Sequence, residues 1–215
     1  LVIVGNEYLK EAATRIGVRR VEVLPSVIDL DRYHCQLEGE TRCPTVGWIG
    51  SPHTARYLDG VTDILNDLAK KKIAEVMIVG ADSRQLRDLR ATRYEWKFEN
   101  EVALINRMDI GIMPLEDGPW ERGKCGYKLI QYMACGKPVV ASPVGINREI
   151  VGHGRNGFFA TAPMEWARAL GQLCGNVEMR RAMGREGRKD IEERYSIQIA
   201  APKLIEMLKS IGREH

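Results

Sequence analysis

A chain of 215 residues, 44% hydrophobic and 28% charged, has the make-up of a soluble globular domain, with room for one good-sized domain and a remnant of another. Its net charge of +3 is too small to point to nucleic acid without a concentrated patch, and no run approaches the roughly 18 apolar residues of a membrane span. The five cysteines (Cys35, Cys43, Cys125, Cys135 and Cys174) form no C-x-x-C pair or zinc spacing and no signal peptide is visible, so the thiols read as reduced and the protein as intracellular.

The chain opens at Leu1 inside the apolar run LVIVG, which reads as a piece of a longer parent. That run (1–5) predicts a short buried strand stopped by Gly5, and Asn6 an N-cap for a helix ending at Gly17. VEVLPS (21–26) predicts a second strand, and 27–44 has no clear period and reads as a connector. From Thr45 the pattern becomes regular. TVGWIG (45–50) predicts a strand, followed by one helix over 51–71 with Leu58, Val61, Ile64, Leu65 and Leu68 at helical spacing. AEVMIVG (74–80) predicts a strand, DSRQLRDLRA (82–91) a short helix, YEWKF (94–98) a strand, NEVALINRM (100–108) a helix and DIGIMPL (109–115) a strand. A helix within 123–136 and the strand PVVAS (138–142) follow, then helices over 163–175, 177–196 and 197–212. The basic runs at 70–72 and 180–189 read as solvated helix faces.

Strands and helices alternating at this spacing predict an α/β fold, a doubly wound, Rossmann-like parallel sheet with helices on both faces. Continuous apolar strands such as VMIVG and IGIM suit burial on both sides. Ligands of such sheets bind beyond the carboxyl ends of the strands, here Gly50-Ser51, Gly80 to Asp82, 114–126 and 142–148.

Gly50 and Ser51, before a helix carrying Arg56, could turn backbone N–H groups and a guanidinium toward an anion. An ordinary βα turn with a surface arginine explains them equally well. The loop 114–126 collects Glu116, Asp117, Glu121, Arg122 and Lys124, with Gly123 and Gly126 allowing close backbone approach. Lys128 and Gln131 are three residues apart and share a helix face, one suited to a phosphate and the other to a diol. Cys125 is the better placed of the thiols for a thiolate, although a small semi-buried cysteine is the plainer reading, and Cys135 lies near a helix end. Glu149 could accept a hydroxyl or simply face a helix dipole. His53 and His153 read as surface histidines. Neither G-x-x-x-x-G-K-[ST] nor G-x-G-x-x-G occurs, which disfavours a P-loop enzyme and a dinucleotide-binding dehydrogenase.

KCGYKLIQYMACGKPVVASPVGINREIV (124–151), followed by NGF, resembles the C-terminal half of retaining, family 4-type glycosyltransferases with the two-domain GT-B fold. GNEYLKEAA and VEVLPSVIDLDRY look like the end of that family's acceptor domain and its linker. GWIGSPHTARYL looks like its first donor-domain strand and turn, and IVGADS, EVALINRMDIGIMPL and ERYS follow in the expected order. The resemblance implies an acceptor-domain end and linker over 1–35, a nucleotide-sugar donor-binding domain over 36–195 and a C-terminal helix over 196–215. It implies donor contacts from Gly50, Ser51, Arg56, Glu121, Lys124, Gly126, Tyr127, Lys128 and Gln131, with Arg56 and Lys128 stabilising the leaving diphosphate. The base would dock near Trp96–Glu101. The family's common pair of Glu residues eight positions apart is replaced here by Gly123 and Gln131, which leaves Glu121 as the candidate for the first carboxylate.

The implied activity is transfer of a sugar, with retention, from a nucleotide-diphospho-sugar to a glycan or lipid-linked acceptor. No metal and no cofactor would take part, nor any nucleic acid, and the acceptor would be held by a preceding domain. The parent would be cytoplasmic, with peripheral association at the inner membrane surface as an option. The rival readings are a non-catalytic scaffold or sensor of the same fold and a nucleotide-sugar epimerase.

Overall fold

The computed structural model describes residues 1–36, 43–81 and 86–211. The chain opens with a small unit of β1 (Val2–Val4), α1 (Glu7–Arg15) and β2 (Val21–Val23), in which the two strands pair in parallel, Val2 opposite Val21. Asn6 caps α1 as expected, its Oδ1 accepting from the Leu9 amide at 2.9 Å. The expected burial of the first strand does not hold: Leu1, Val2 and Ile3 are 41, 38 and 36% exposed. A pair of strands with one helix against it leaves side chains without a second layer.

The main sheet has six strands: β3 (Thr45–Ile49), β4 (Glu75–Val79), β5 (Thr92–Tyr94), β6 (Ile110–Met113), β7 (Val139–Ala141) and β8 (Gly157–Phe159). All pair in parallel, in the order β5-β4-β3-β6-β7-β8. Counted from β3, this is the 3-2-1-4-5-6 order of the doubly wound nucleotide-binding sheet, whose strand order reverses between β3 and β6.

The period-2 geometry of the strands divides the core into two layers. Val46 and Trp48 of β3, Val76 and Ile78 of β4, Ile110 and Ile112 of β6, and Val140 of β7 face one side. That side is covered by a 3₁₀ segment (Pro52–Val61), α2 (Thr62–Lys70) and α7 (Pro163–Gly175). Ile49, Met77, Val79, Met113, Val139 and Ala141 face the other. There they meet α3 (Glu101–Asn106), α5 (Tyr127–Ala134) and α8 (Val177–Arg194). Two short helices, α4 (Pro119–Arg122) and α6 (Asn147–Ile150), stand at the strand ends, and α9 (Ile197–Ile211) closes the chain.

At the reversal point β3 and β6 pair only through Val46–Ile110 and Gly47–Gly111 and then part. The Tyr132 hydroxyl fills the gap, accepting from the Ile49 amide at 2.9 Å and reaching the Ile112 carbonyl at 3.4 Å. Gly111 makes the fit possible, since a Cβ there would stand 2.3 Å from the tyrosine ring. This pins α5, and everything on its first turn, over the parting strands.

Several predicted elements are corrected. The residues 52–61 form a 3₁₀ turn in place of the first half of one long α-helix; Ala55, Leu58 and Val61 are buried at a spacing of three, which matches three residues per turn. The helix expected over 82–91 lies partly outside the described residues, and 86–91 is a turn. There the carbonyls of Leu86 and Leu89 accept from Arg93, and Asn66 bonds both Asp88 and Arg90. Strand β5 ends at Tyr94, before most of the predicted 94–98 run; Asn100 and Trp96 then fold 95–100 into a closed loop through bonds to Glu95, Lys97 and Glu101. Strand β8 had no expectation at all.

The basic run 180–189 is only partly a solvated face. Arg180 is buried and donates to the Leu173 and Cys174 carbonyls at the end of α7, and Arg188 donates to the Tyr33 and Ala134 carbonyls. Glycines carry α8 close to α5: a Cβ at Gly184 would lie 2.0 Å from the Gly136 carbonyl oxygen. After α8 the chain returns to the small N-terminal unit. Ile28 exchanges backbone bonds with Tyr195 and Ile197 at 2.9 and 3.1 Å, and Arg20 donates to Ser210.

Candidate functional site

Beyond the carboxyl ends of β3 and β4 lies a groove of about 890 Å³. Gly50, Ser51, Tyr127, Lys128 and Gln131 line it, five of the residues singled out in the sequence, together with Trp96. Ser51 begins the 3₁₀ segment, is exposed, and spends no side-chain bond on capping it. The Tyr127 and Lys128 amides at the start of α5 have no acceptor within the helix, as at any helix start, whereas the Leu129 amide donates to the Gly126 carbonyl at 2.9 Å.

Lys128 is the feature that decides what the groove can hold. Its stem passes over Gly50, where a Cβ would come within 2.7 Å of Lys128 Cε, and its ammonium stands 5.1 Å from the centre of the Trp48 ring. Its hydrogen-bond acceptor is Thr54 Oγ1 at 3.4 Å, and Thr54 already donates to the Ser51 carbonyl. Among the described residues no carboxylate lies within ion-pair distance of it. Burial, with the neighbouring Lys124 charge adding to it, pushes the ammonium down to about 8. A half-buried cation whose one acceptor among the described residues is weak and neutral would be favoured by an anion placed beside it.

Next to it, Glu121 is buried and accepts from the Tyr57 hydroxyl, with Arg56 3.5 Å away. Arg56 also donates to Tyr57 at 3.1 Å, and Lys124 lies 5.4 Å over the Tyr57 ring. The hydrogen bond from Tyr57 holds the Glu121 carboxyl below its ordinary range. Burial lowers the Lys124 ammonium and raises the Tyr57 hydroxyl. Arg56 lines a second hollow of about 660 Å³ beyond β6 and β7, with Glu116, Asp117 and Arg148. The structure thus divides the predicted residues: five line the groove, Arg56 borders the hollow beside it, and Glu121 and Lys124 stand between.

Gly126 takes a left-handed φ of +66° as the N-cap of α5, and a Cβ there would be 2.3 Å from Ile150 Cδ1. Its lack of a side chain lets the helix start rest on α6. Glu149 lies in a different cleft, with Glu7, Glu193 and Arg194. His153 is bonded to the Phe159 amide at 2.9 Å and stacked on the Phe159 ring. Cys125 lies with its sulfur against the Gly123 carbonyl at 4.0 Å, and burial pushes the Cys135 thiol up to about 12.

Sequence reasoning missed Trp48, Thr54, Tyr57 and Tyr33. Trp48 reads as core because it sits in an apolar strand, and Tyr33 comes from a connector without periodicity. Among the described residues no cluster of three His, Cys, Asp or Glu side chains could hold a metal, and no helix is long and apolar enough to cross a membrane.

Residues 43–176, the larger part of the chain, match the family described as glycosyl transferases group 1. An uncharacterized glycosyltransferase of Methanocaldococcus jannaschii is 30% identical over 145 residues, covering 62% of this chain and 36% of that protein. The D-inositol 3-phosphate glycosyltransferase of Corynebacterium urealyticum is 30% identical over 115 residues, 53% of this chain and 26% of the relative. Among solved structures, Anabaena HepE in complex with UDP and glucose superposes with a TM-score of 0.78 at 18% identity, covering 98% of this chain and 63% of that one. A glycosyltransferase from Rickettsia africae gives 0.82 at 15% identity, covering all of this chain and 64% of that one. These distant structures share the parallel sheet and its flanking helices, and the chain spans 36% and 26% of the length of the two curated relatives it matches. Sheet order, the groove at the reversal point and the match over 43–176 agree, and the chain belongs to the group 1 glycosyltransferases.

Proposed function

We propose that this chain is the donor-binding half of a retaining, family 4-type GT-B glycosyltransferase. The observation that carries the reading is Lys128, a half-buried ammonium with no carboxylate partner among the described residues, at the start of α5 over the reversal point of the sheet. A nucleotide diphosphate supplies the anion this site lacks. Its phosphates would meet Lys128, the first-turn amides of α5 and the Ser51 turn. Arg56 and Lys124 would add charge on the side of the sugar, and Trp96 would offer its ring to the base.

As the bond between the anomeric carbon and the diphosphate breaks, negative charge grows on the leaving oxygen. Fixed cations and amides in a water-poor groove stabilise that charge, so no metal and no cofactor is needed for this step. Anabaena HepE, solved with UDP and with UDP-glucose, supports a nucleotide-sugar donor. The acceptor, a glycan or lipid-linked sugar, would be held by a domain preceding Leu1. In that reading 1–35 is the end of that domain and the linker, 36–195 the donor domain and 196–215 the C-terminal segment that carries α9. The exposed side chains of β1, and of Ile205 and Leu208 on α9 at 51 and 53%, would be covered by it.

A calorimetric titration with UDP, GDP and ADP, with and without magnesium, tests the reading. One nucleotide binds without metal, and Lys128→Ala abolishes its binding. If the wild-type chain within its intact parent binds none of the three, the proposal fails.

A further inference from the structure

Gln131 sits at the base of the groove, 4% exposed, and its amide is built into a chain of hydrogen bonds. Its Nε2 lies 3.1 Å from the Tyr33 hydroxyl, which in turn bonds Glu101 Oε1. Glu101 is buried; its Oε2 accepts from Trp96 Nε1 at 2.6 Å, and Arg32 lies 3.2 Å from its Oε1. The direction of this chain follows from proton counting. A carboxylate only accepts, so the single hydroxyl proton of Tyr33 goes to Glu101. Burial and that bond push the Tyr33 hydroxyl up, so it keeps the proton. The tyrosine oxygen can then only accept from position 131, which turns the Gln131 NH2 inward. The Gln131 carbonyl oxygen is left toward the groove and carries no bond among the described residues.

Resting on the donor reading above, we infer that Glu101 and Tyr33 are positioning residues that fix the Gln131 amide, so that its carbonyl accepts a hydroxyl of the donor's ribose. The charge that recognises the diol is held one link back, on Glu101, and reaches the ligand through a neutral amide. The arrangement makes glutamine the required residue at 131. A glutamate there would set a second carboxylate against the one Tyr33 proton, and Glu101 would repel it. Lys128, one turn earlier, turns its ammonium to Thr54 and Trp48 and would not offset this. The other polar groups bearing on the relay are Arg32, the Trp96 N–H and the Tyr127 hydroxyl, which bears on Tyr33.

The test compares wild type, Gln131→Glu, Glu101→Gln/Gln131→Glu, Tyr33→Phe and Tyr33→Phe/Glu101→Gln in the intact protein, by nucleoside diphosphate titration and by thermal unfolding from pH 5 to 8. Gln131→Glu is expected to weaken the nucleotide about tenfold, because the new carboxylate competes with Glu101 for the one Tyr33 proton and is no longer held in the orientation that accepts the hydroxyl. The double variant, which moves the carboxylate from one end of the relay to the other, regains most of it. Tyr33→Phe weakens the nucleotide severalfold and gains nothing from the added Glu101→Gln change.

Unfolding reads the relay without ligand. Like charge raises the folded-state titration of the paired carboxyls in Gln131→Glu above the unfolded value. Its deficit in melting temperature therefore grows as the pH rises from 5 to 8, and the double variant removes this dependence. A Gln131→Glu protein that binds as well as wild type overturns the inference, as does a double variant no better than the single one. An unfolding deficit that does not change with pH does so too. If the wild type binds no nucleotide the donor reading fails by itself, and the assignment of a ribose hydroxyl falls with it, while the unfolding series still decides whether the relay runs from Gln131 to Glu101.

Discussion

Asp190 and Lys128, two charged groups drawn in from the solvent, are treated in opposite ways. Asp190, on α8, is buried and fully answered: Arg155 grips it with two bonds of 3.1 and 2.6 Å, and Asn156 adds a third at 2.6 Å. Lys128, at the start of α5, has the Thr54 hydroxyl at 3.4 Å and a tryptophan face. The first arrangement ties α8 to the turn before β8 and is complete within the chain. The second lacks its counter-charge. A satisfied buried charge serves architecture, whereas an unsatisfied one marks where another molecule completes the site.

The comparison can be broken by exchanging the outcomes. Asp190→Ala removes the acceptor of Arg155 and of the buried Asn156, and is expected to cost about 3 kcal/mol of stability with nucleotide affinity unchanged. Chemical denaturation and calorimetry on the same protein read both. Lys128→Met should behave in reverse. Removing the charge that the ligand answers weakens nucleoside diphosphate binding about 100-fold, while an apolar chain in the same space raises stability by about 1 kcal/mol. A Lys128→Met protein that is less stable than wild type and still binds would make the two sites alike and remove the basis of the functional reading.

The pH dependence sharpens the contrast. The folded, unliganded lysine titrates at about 8, below its ordinary value, so its ionisation costs folded-state stability below that pH. The cost disappears as the pH rises from about 8 toward the unfolded value near 10.4. A bound diphosphate restores the ammonium, so affinity should be level below pH 8 and fall above it, by at most about tenfold per pH unit. Titrations between pH 7 and 9.5 would show this, and Lys128→Met should show no such slope. The smallest effect concerns the neighbouring cluster. Tyr57→Phe removes the bond that lowers Glu121 and should reduce affinity only about threefold, because Arg56 and Lys124 still answer the carboxylate.

Alternation made the sheet readable from the residues: Val46 and Trp48 against Ile49, and Val76 and Ile78 against Met77 and Val79, are the two layers themselves. Where the chain bonds its backbone through side chains, the pattern misled. The 86–91 segment has helical composition, yet Arg93 and Asn66 hold its backbone in a turn. The spacing of three among Ala55, Leu58 and Val61 was visible but merged with the α-helical spacing of Ile64, Leu65 and Leu68. At the site, Lys128 and Gln131 were legible because both stand on the first turns of one helix. Tyr33 was not, since it meets Gln131 from 98 positions away, through a connector without a period of its own.

Trp48 sits inside this arrangement, 1% exposed, with the Lys128 ammonium 5.1 Å from its ring centre. A charge that close to an indole shifts the energy of its excited state, so emission from this tryptophan depends on whether the lysine is protonated. It should also change when an anion arrives. Water does not reach the ring to blur the signal, unlike the 75% exposed Trp120. The group that would receive the phosphate is therefore read out optically by its own neighbour, with no label attached.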